Sequence, residues 1–323
     1  MKRKCIVVGC GWAGSQHAQT ICISPVAELV ALVEPHPDRK REMSDRFQVP
    51  VFTSIPETLS QIDFDTAVVA TLPMLHYSQC RLLLEHGKSV LCEKPLCHSS
   101  REIMHLMKIA DSTGAKLGVQ FNQRYGKAVQ MARKLLEEDK TERRLVTASM
   151  YQNFHVYRGP QIHPTFVLTD SCCHLLDLIT YLAGPVESGS AIGYQNENGI
   201  YADIAATLRF RDGHVGSMTH SAYGGALDTQ HPFQQIDIHT RQAHYIVDSL
   251  MNRLTVYPHD SGMRQIYEPS VFERRDYALT LELACQAFLQ ALYDRKPLPE
   301  SAQDALDNTV IIESLCASVL RDK

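Results

Sequence analysis

Between Cys5 and Gly14 the chain reads CIVVGCGWAG, and no other stretch constrains the fold as strongly. A short β-branched run ends in glycine, and Gly9, Gly11 and Gly14 then follow the spacing G-x-G-x-x-G. Alone that pattern is weak, because glycines also mark ordinary turns. Here it closes a strand and opens a helix, the setting in which it has physical meaning. Gly9 permits the tight turn, Gly11 lets backbone amides approach a pyrophosphate, and Gly14 allows close packing of helix on strand. Trp12 and Ala13 complete the loop, and the helix N-terminus offers oriented N–H donors to an anion. Glu34 ends the next strand candidate, where a carboxylate accepts both ribose hydroxyls of an adenosine and repels a 2′-phosphate. NAD is therefore expected ahead of NADP, with Arg39 and Lys40 the nearby positive charges that argue the other way.

The first 120 residues alternate strand and helix signals. Strands are expected at Cys5–Gly9, Ala27–Glu34, Thr66–Thr71, Ser89–Glu93 and Lys116–Phe121, with helices over Gly14–Ile23, Asp38–Phe47, His76–His86 and Glu102–Asp111. Continuous apolar strands separated by helices specify a parallel sheet covered on both faces. After roughly residue 123 the texture changes. Helix is expected over Gly126–Leu136, and again from Asp170 to the stop at Gly184 and Pro185, with His155–Thr169 irregular. A run of alternating strand candidates follows, and helices Tyr277–Tyr293 and Ala302–Leu320 close the chain. The expected fold class is an α/β Rossmann domain, residues 1–123, and then an α+β domain, residues 124–323, containing an open-faced, mostly antiparallel sheet. The last helix is a candidate to pack back on the first domain.

Composition narrows the partners. Lys and Arg number 32 against 36 Asp and Glu, a formal net charge of −4, and the basic residues are scattered. Neither a nucleic acid nor another polyanion is expected. Nothing approaches the ~18 uninterrupted apolar residues of a membrane span. The run after Lys4 is too brief and too glycine-rich for a signal-peptide core. The ten cysteines are singles apart from the neighbours Cys172 and Cys173, which reads as reduced thiols in a cytoplasmic protein. No CxxC pair or HExxH run suggests a metal, and none is expected.

In SVLCEKPLC, Ser89–Cys97, an apolar strand meets Glu93 and Lys94 and is stopped by Pro95. Half-buried ions are costly unless paired or used. With Glu93-Lys94-Pro95 downstream of the glycine loop, the chain resembles the Gfo/Idh/MocA oxidoreductases, named after glucose–fructose oxidoreductase and inositol dehydrogenase. VATLPMLH, Val69–His76, resembles the family's TPN…H loop, with Leu72 and Pro73 in a changed order. NQRY, Asn122–Tyr125, resembles its N-x-R-F junction, and DSCCHLLD, Asp170–Asp177, matches its D-x-x-x-H-x-x-D helix. The ending is similar as well, so the resemblance covers essentially the whole chain. It implies that Glu93-Lys94-Pro95 lies beside a nicotinamide, with Lys94 facing cofactor and substrate and Glu93 on the cofactor side. It implies cofactor-binding roles for Thr71, Leu72 and His76, and a cis peptide bond at Pro95.

On a helix Asp170, His174 and Asp177 share one face. A histidine ordinarily titrates near neutrality, and His174 is the expected base for a hydroxyl proton, Asp170 the expected aligner, and Asp177 a support or packing group. The chain departs from the family's GGG-x-L-x-D-x-G-x-H: HPTFVLT precedes Asp170, and Cys172 replaces a glycine. Cys172 and Cys173 diverge as helix neighbours and are expected as buried thiols. Arg124 is a candidate substrate contact or a structural ion pair. Asn153, His155, His163 and Tyr223 are further cleft candidates. The resemblance implies an NAD(H)-dependent dehydrogenase or ketoreductase acting on a sugar, sugar derivative or cyclitol, assembled as a homodimer or homotetramer. Two alternatives use the same fold: an NAD-dependent glycosidase with transient oxidation, and a non-catalytic cofactor-binding sensor.

Overall fold

The computed structural model of the chain describes residues 1–152, 163–223, 233–248, 252–270 and 277–321. The chain divides into two compact units, Met1–Asn122 with Ala278–Asp307, and Gln123–Tyr277 with Asn308–Lys323.

In the first unit β1 (Arg3–Val8), α1 (Trp12–Ile23), β2 (Ala27–Val33), α2 (Pro37–Phe47), β3 (Val51–Phe52) and α3 (Ile55–Gln61) are followed by β4 (Thr66–Val69), α4 (Pro73–Glu85), β5 (Ser89–Cys92), α5 (Ser100–Thr113) and β6 (Leu117–Val119). The sheet order is β3-β2-β1-β4-β5-β6, and every pairing is parallel. This is the doubly wound order, with its reversal between β1 and β4. The apolar runs are continuous because each strand feeds two cores: β1 sends Ile6 and Val8 to one, and Cys5 and Val7 to the other. Helices α4 and α5 cover the first of these with Leu83, Leu84, Ile103 and Leu106. Ala18 and Ile21 of α1, with Met43 of α2, cover the second.

The second unit contains α6 (Lys127–Glu138), β7 (Arg143–Tyr151), α7 (Cys172–Ala183), β8 (Val186–Gln195), β9 (Tyr201–Phe210), β10 (Val215–Ser221), β11 (Phe233–Thr240), β12 (Ala243–Asp248), β13 (Arg253–Pro258) and β14 (Gln265–Tyr267). Its sheet runs β14-β13-β12-β11-β7-β10-β9-β8, antiparallel except for β10 beside β7. Alternation is plain in β11, where Gln234, Ile236, Ile238 and Thr240 are buried and the residues between them half-exposed. Val146, Ala148 and Met150 of β7 join a core with Leu175, Leu176 and Ile179 of α7.

The closing helices are α8 (Tyr277–Asp294) and α9 (Ala302–Arg321). From Ala278 onward α8 groups with the first unit, where Cys285, Phe288, Leu289 and Leu292 join the core containing Cys5 and Val7. The residues of α9 are shared between the units: Ala302 and Ala305 belong to a core of the first, and Leu315 and Val319 to that of the second. Several features differ from the reading of the sequence. Elements β3, α3 and β14 were not expected, residues 278–307 group with the first unit rather than with 124–323, and α7 begins at Cys172 rather than near Asp170 because Val167–Ser171 forms a π turn.

Candidate active site

In the first unit one row of the sheet sets the site. Val33, Val8, Val69, Cys92 and Val119 are paired in register across β2, β1, β4, β5 and β6. The next residue along each strand, Glu34, Gly9, Ala70, Glu93 and Gln120, therefore lies at the carboxyl edge, where ligands bind in doubly wound sheets. Gly9 turns there with φ of +86°, and a Cβ on it would come within 2.7 Å of the Ala70 carbonyl. A Cβ on Gly14 would lie 1.9 Å from the Gly9 carbonyl. On Gly11 it would meet nothing within 4 Å, so the space above this loop residue is clear for a ligand to approach. Gly11 is also the N-cap of α1 and has no side chain to occupy the amides of the first turn. These features fit a pyrophosphate.

Glu34 bends back onto this loop. Its Oε2 accepts from the Cys10 N–H at 3.0 Å and its Oε1 from the His36 N–H at 2.9 Å. Those bonds orient the carboxylate and leave it lone pairs for ribose hydroxyls. Arg39 is engaged as well: Nε donates to the Cys10 carbonyl and Nη2 to Ser15 Oγ, each at 2.6 Å, while Nη1 pairs with Glu42 at 2.6 Å. The guanidinium thus braces the loop with its charge partly compensated. Trp12 and Leu72 are 55% and 62% exposed, large apolar groups open to solvent at the ends of the loops after β1 and β4.

Histidines hold the next two loops. His76 is fully buried, with Nδ1 2.8 Å from the Pro95 carbonyl and Nε2 3.1 Å from the Thr71 carbonyl. Burial holds its pKa below the ordinary value, and the two carbonyls oppose that shift. Thr71 Oγ1 donates to Gln79 at 2.6 Å. Glu93 accepts from His17 of α1 at 2.8 Å, Lys94 is half-buried, and the Lys94–Pro95 peptide bond is cis. His17 was not singled out in the sequence. The signal that could have found it is its place three residues after Gly14, on the buried side of α1. Gln120 was missed too: its Nε2 donates to the Leu281 carbonyl at 3.1 Å, while its buried Oε1 has no hydrogen-bond partner among the described residues.

In the second unit Asp170 occupies the π turn and His174 the first turn of α7, both buried. A π turn widens the helix by one residue and commonly marks a functional position. The Cys173 thiol donates to the Asp170 carbonyl at 3.0 Å, and Asn308 Nδ2 donates to the Cys173 carbonyl at 2.8 Å. Burial pushes the Cys172 thiol well up, so it stays protonated. Asp177 takes both arms of Arg124, at 2.9 Å and 2.6 Å, and the guanidinium lies over the Tyr181 ring. Arg124 is thus tied into the second unit as a buried ion pair. Tyr223 is exposed and its N–H donates to Ser221 Oγ, and His163 Nδ1 accepts from Thr165 Oγ1. Asn153 and His155 lie outside the described residues. All ten cysteines are unbridged, and among the described residues no three His, Cys, Asp or Glu side chains cluster as a metal site.

Residues 3–121 match the oxidoreductase family with an NAD-binding Rossmann fold, and residues 129–243 match the GFO/IDH/MocA C-terminal domain. The chain belongs to the Gfo/Idh/MocA oxidoreductase family, and its first unit is the family's NAD-binding domain. It is 28% identical over 183 residues to an inositol 2-dehydrogenase of Corynebacterium glutamicum, covering 55% of this chain and 53% of that protein. It is 24% identical over 226 residues to the scyllo-inositol 2-dehydrogenase (NADP(+)) of Bacillus subtilis, covering 67% and 68%. The chain spans about half the length of the first of these curated relatives. Its fold is that of an oxidoreductase from Agrobacterium radiobacter solved with NAD+, L-tartaric acid and magnesium, with a TM-score of 0.89 and 18% identity over 100% of this chain and 98% of that one.

Proposed function

We propose that the protein is an NAD(H)-dependent dehydrogenase or ketoreductase acting on a carbinol carbon of a sugar, sugar derivative or cyclitol. The observation that carries this reading is the carboxyl edge of the first sheet. There the open glycine loop, the oriented Glu34 carboxylate and the half-buried Lys94 follow β1, β2 and β5 of one sheet. The named activity of the inositol dehydrogenase relatives supports the substrate class. Bound NAD would supply the hydride acceptor, and NADH the donor. Gly9, Gly11, Trp12, Ala13 and Gly14 would hold the pyrophosphate and Glu34 the adenosine ribose, with Thr71, Leu72, His76 and Glu93 completing the cofactor contacts.

Lys94 donates to the reacting oxygen and stabilises negative charge as it develops there. His174 takes the hydroxyl proton in oxidation and returns it in reduction, and Asp170 aligns a neighbouring hydroxyl. Asp177 lies midway along α7 and its ion pair with Arg124 braces that helix, so Arg124 is proposed to act on substrate indirectly. Asn153, His155 and Tyr223 are proposed as outer substrate contacts. The unbridged thiols fit a cytoplasmic protein. Outward-facing Leu145, Val215, Ile192 and Tyr257 leave apolar area on the open sheet that a second copy would cover. A homodimer or homotetramer is therefore expected in sedimentation equilibrium, and a monomer at micromolar concentration would set that aside.

The function is tested by NADH formation from NAD+ with a panel of cyclitols, sugars and glycosides. Turnover is expected on at least one polyol, with Lys94→Ala lowering kcat on the order of a hundredfold while NADH still binds. Silence across the panel with intact NADH binding would overturn the dehydrogenase reading. Full turnover by Lys94→Ala would remove that residue from the chemistry.

A further inference from the structure

Glu93-Lys94-Pro95 is held by two histidines from different helices. On one side His17 of α1, fully buried, places Nε2 2.8 Å from Glu93 Oε1. The other Glu93 oxygen faces the Lys94 backbone N–H at 3.3 Å. On the other side His76 of α4 places Nδ1 2.8 Å from the Pro95 carbonyl and reaches Thr71 with its second nitrogen. Proline has no N–H, so its carbonyl is the one backbone polar group Pro95 offers as a handle. We propose that His17 and His76 are positioning residues, which grip this segment at the Glu93 carboxylate and the Pro95 carbonyl and so set where the Lys94 ammonium stands.

The protonation pattern suits that task. A ring nitrogen 2.8 Å from a carboxylate oxygen must carry hydrogen, and His17 Nδ1 is buried with no hydrogen-bond partner among the described residues. The tautomer with hydrogen on Nε2 alone satisfies both conditions, since a second N–H would be a buried donor with no acceptor. His17 is then a fixed donor that keeps Glu93 turned towards α1. Without it, the carboxylate's nearest cationic neighbour along the chain is Lys94. Released from His17, the carboxylate would compete for that ammonium and shift it from its native place.

This inference rests on the proposed role of Lys94, but its test does not need turnover. Lys94 is labelled with limiting acetic anhydride and quantified by mass spectrometry against exposed Lys140 in the same molecules. His17→Leu is expected to change the Lys94 labelling rate at least about threefold, because moving the ammonium changes its charged surroundings and so the fraction present as reactive neutral amine. His17→Gln, which keeps a side-chain N–H donor, should restore most of the rate. His17→Asn, too short to reach Glu93, should behave like His17→Leu and serves if the leucine variant does not fold. In a Glu93→Leu background, His17→Leu should add nothing, since coupled residues are not additive. His76→Leu should also alter Lys94 labelling, and should add to the effect of His17→Leu because it grips a different atom. Once a substrate is found, His17→Leu should lower kcat about tenfold with NADH affinity retained, a pattern that loss of folding would not produce. Unchanged Lys94 labelling in folded His17→Leu, or an equal effect of that substitution with and without Glu93, would overturn the proposal. Neither result depends on whether a polyol is oxidised.

Discussion

At the scale of single residues, the two glycines Gly11 and Gly118 show how one residue type serves opposite ends. Gly11 has extended backbone and nothing within 4 Å of a built Cβ, so the chain itself has no steric need for glycine there. In the proposed function the need comes from the cofactor. Gly118, on β6, is closed in: a Cβ would lie 2.9 Å from the Phe288 ring and 3.1 Å from the Glu300 carbonyl. Gly11→Ala should therefore leave the urea midpoint nearly unchanged while weakening NADH binding at least about tenfold. Gly118→Val should cost about 2 kcal/mol through overpacking, with little direct effect on NADH affinity of the folded fraction. Titrating NADH fluorescence and urea unfolding on both variants checks the pair, and equal stability losses would contradict it. The same contrast governs legibility. The Gly11 role is readable from G-x-G-x-x-G, whereas nothing near Gly118 in the sequence announces Phe288.

At the scale of elements, legibility followed length and periodicity. The long apolar strands β1, β2 and β7 and helices α8 and α9 were readable within a few residues, because many side chains repeat one pattern. Short β3 and α3 were not, although α3 carried a local signal: Ser54 accepts from the Glu57 N–H, and Glu57 accepts from Thr53, a cap arrangement with proline in the first turn. The π turn at Val167–Ser171 left no periodic mark, since a single widened turn does not alter the surrounding apolar pattern. In the candidate site, the glycine loop, Glu34 and Lys94 were legible because they sit at fixed offsets from strand ends. The partners that orient them were not. His17 is 76 residues from Glu93, and Arg124 is 53 from Asp177.

At the scale of the whole molecule, acid stability follows from its buried neutral histidines. His220 of β10 is buried, with Nδ1 near the Ala202 carbonyl, and burial pushes its pKa down to about 4. In the unfolded chain it returns to about 6.5, so between those values the unfolded state binds more protons. Its contribution is present above pH 6.5 and is lost as pH falls towards 4, amounting to about 3 kcal/mol for complete charging. Burial also lowers His76 and His214, which act in the same direction. The urea midpoint should fall between pH 7 and pH 4.5, and His220→Gln should flatten that decline. An equal slope in the variant would assign the acid sensitivity elsewhere.

The sequence by itself determined the kind of architecture and the location of the candidate site: a parallel nucleotide domain, a second domain with an alternating sheet, a dinucleotide loop and Lys94 after β5. Those are encoded in periods and offsets short enough for local stereochemistry to enforce. Tertiary structure alone decided that α8 completes the core behind β1, that Arg124 is neutralised by Asp177, and that His17 and His76 hold the residues flanking Lys94. Such partners lie far apart along the chain and are chosen by packing, where burial obliges each polar group to find whichever partner the fold brings within reach.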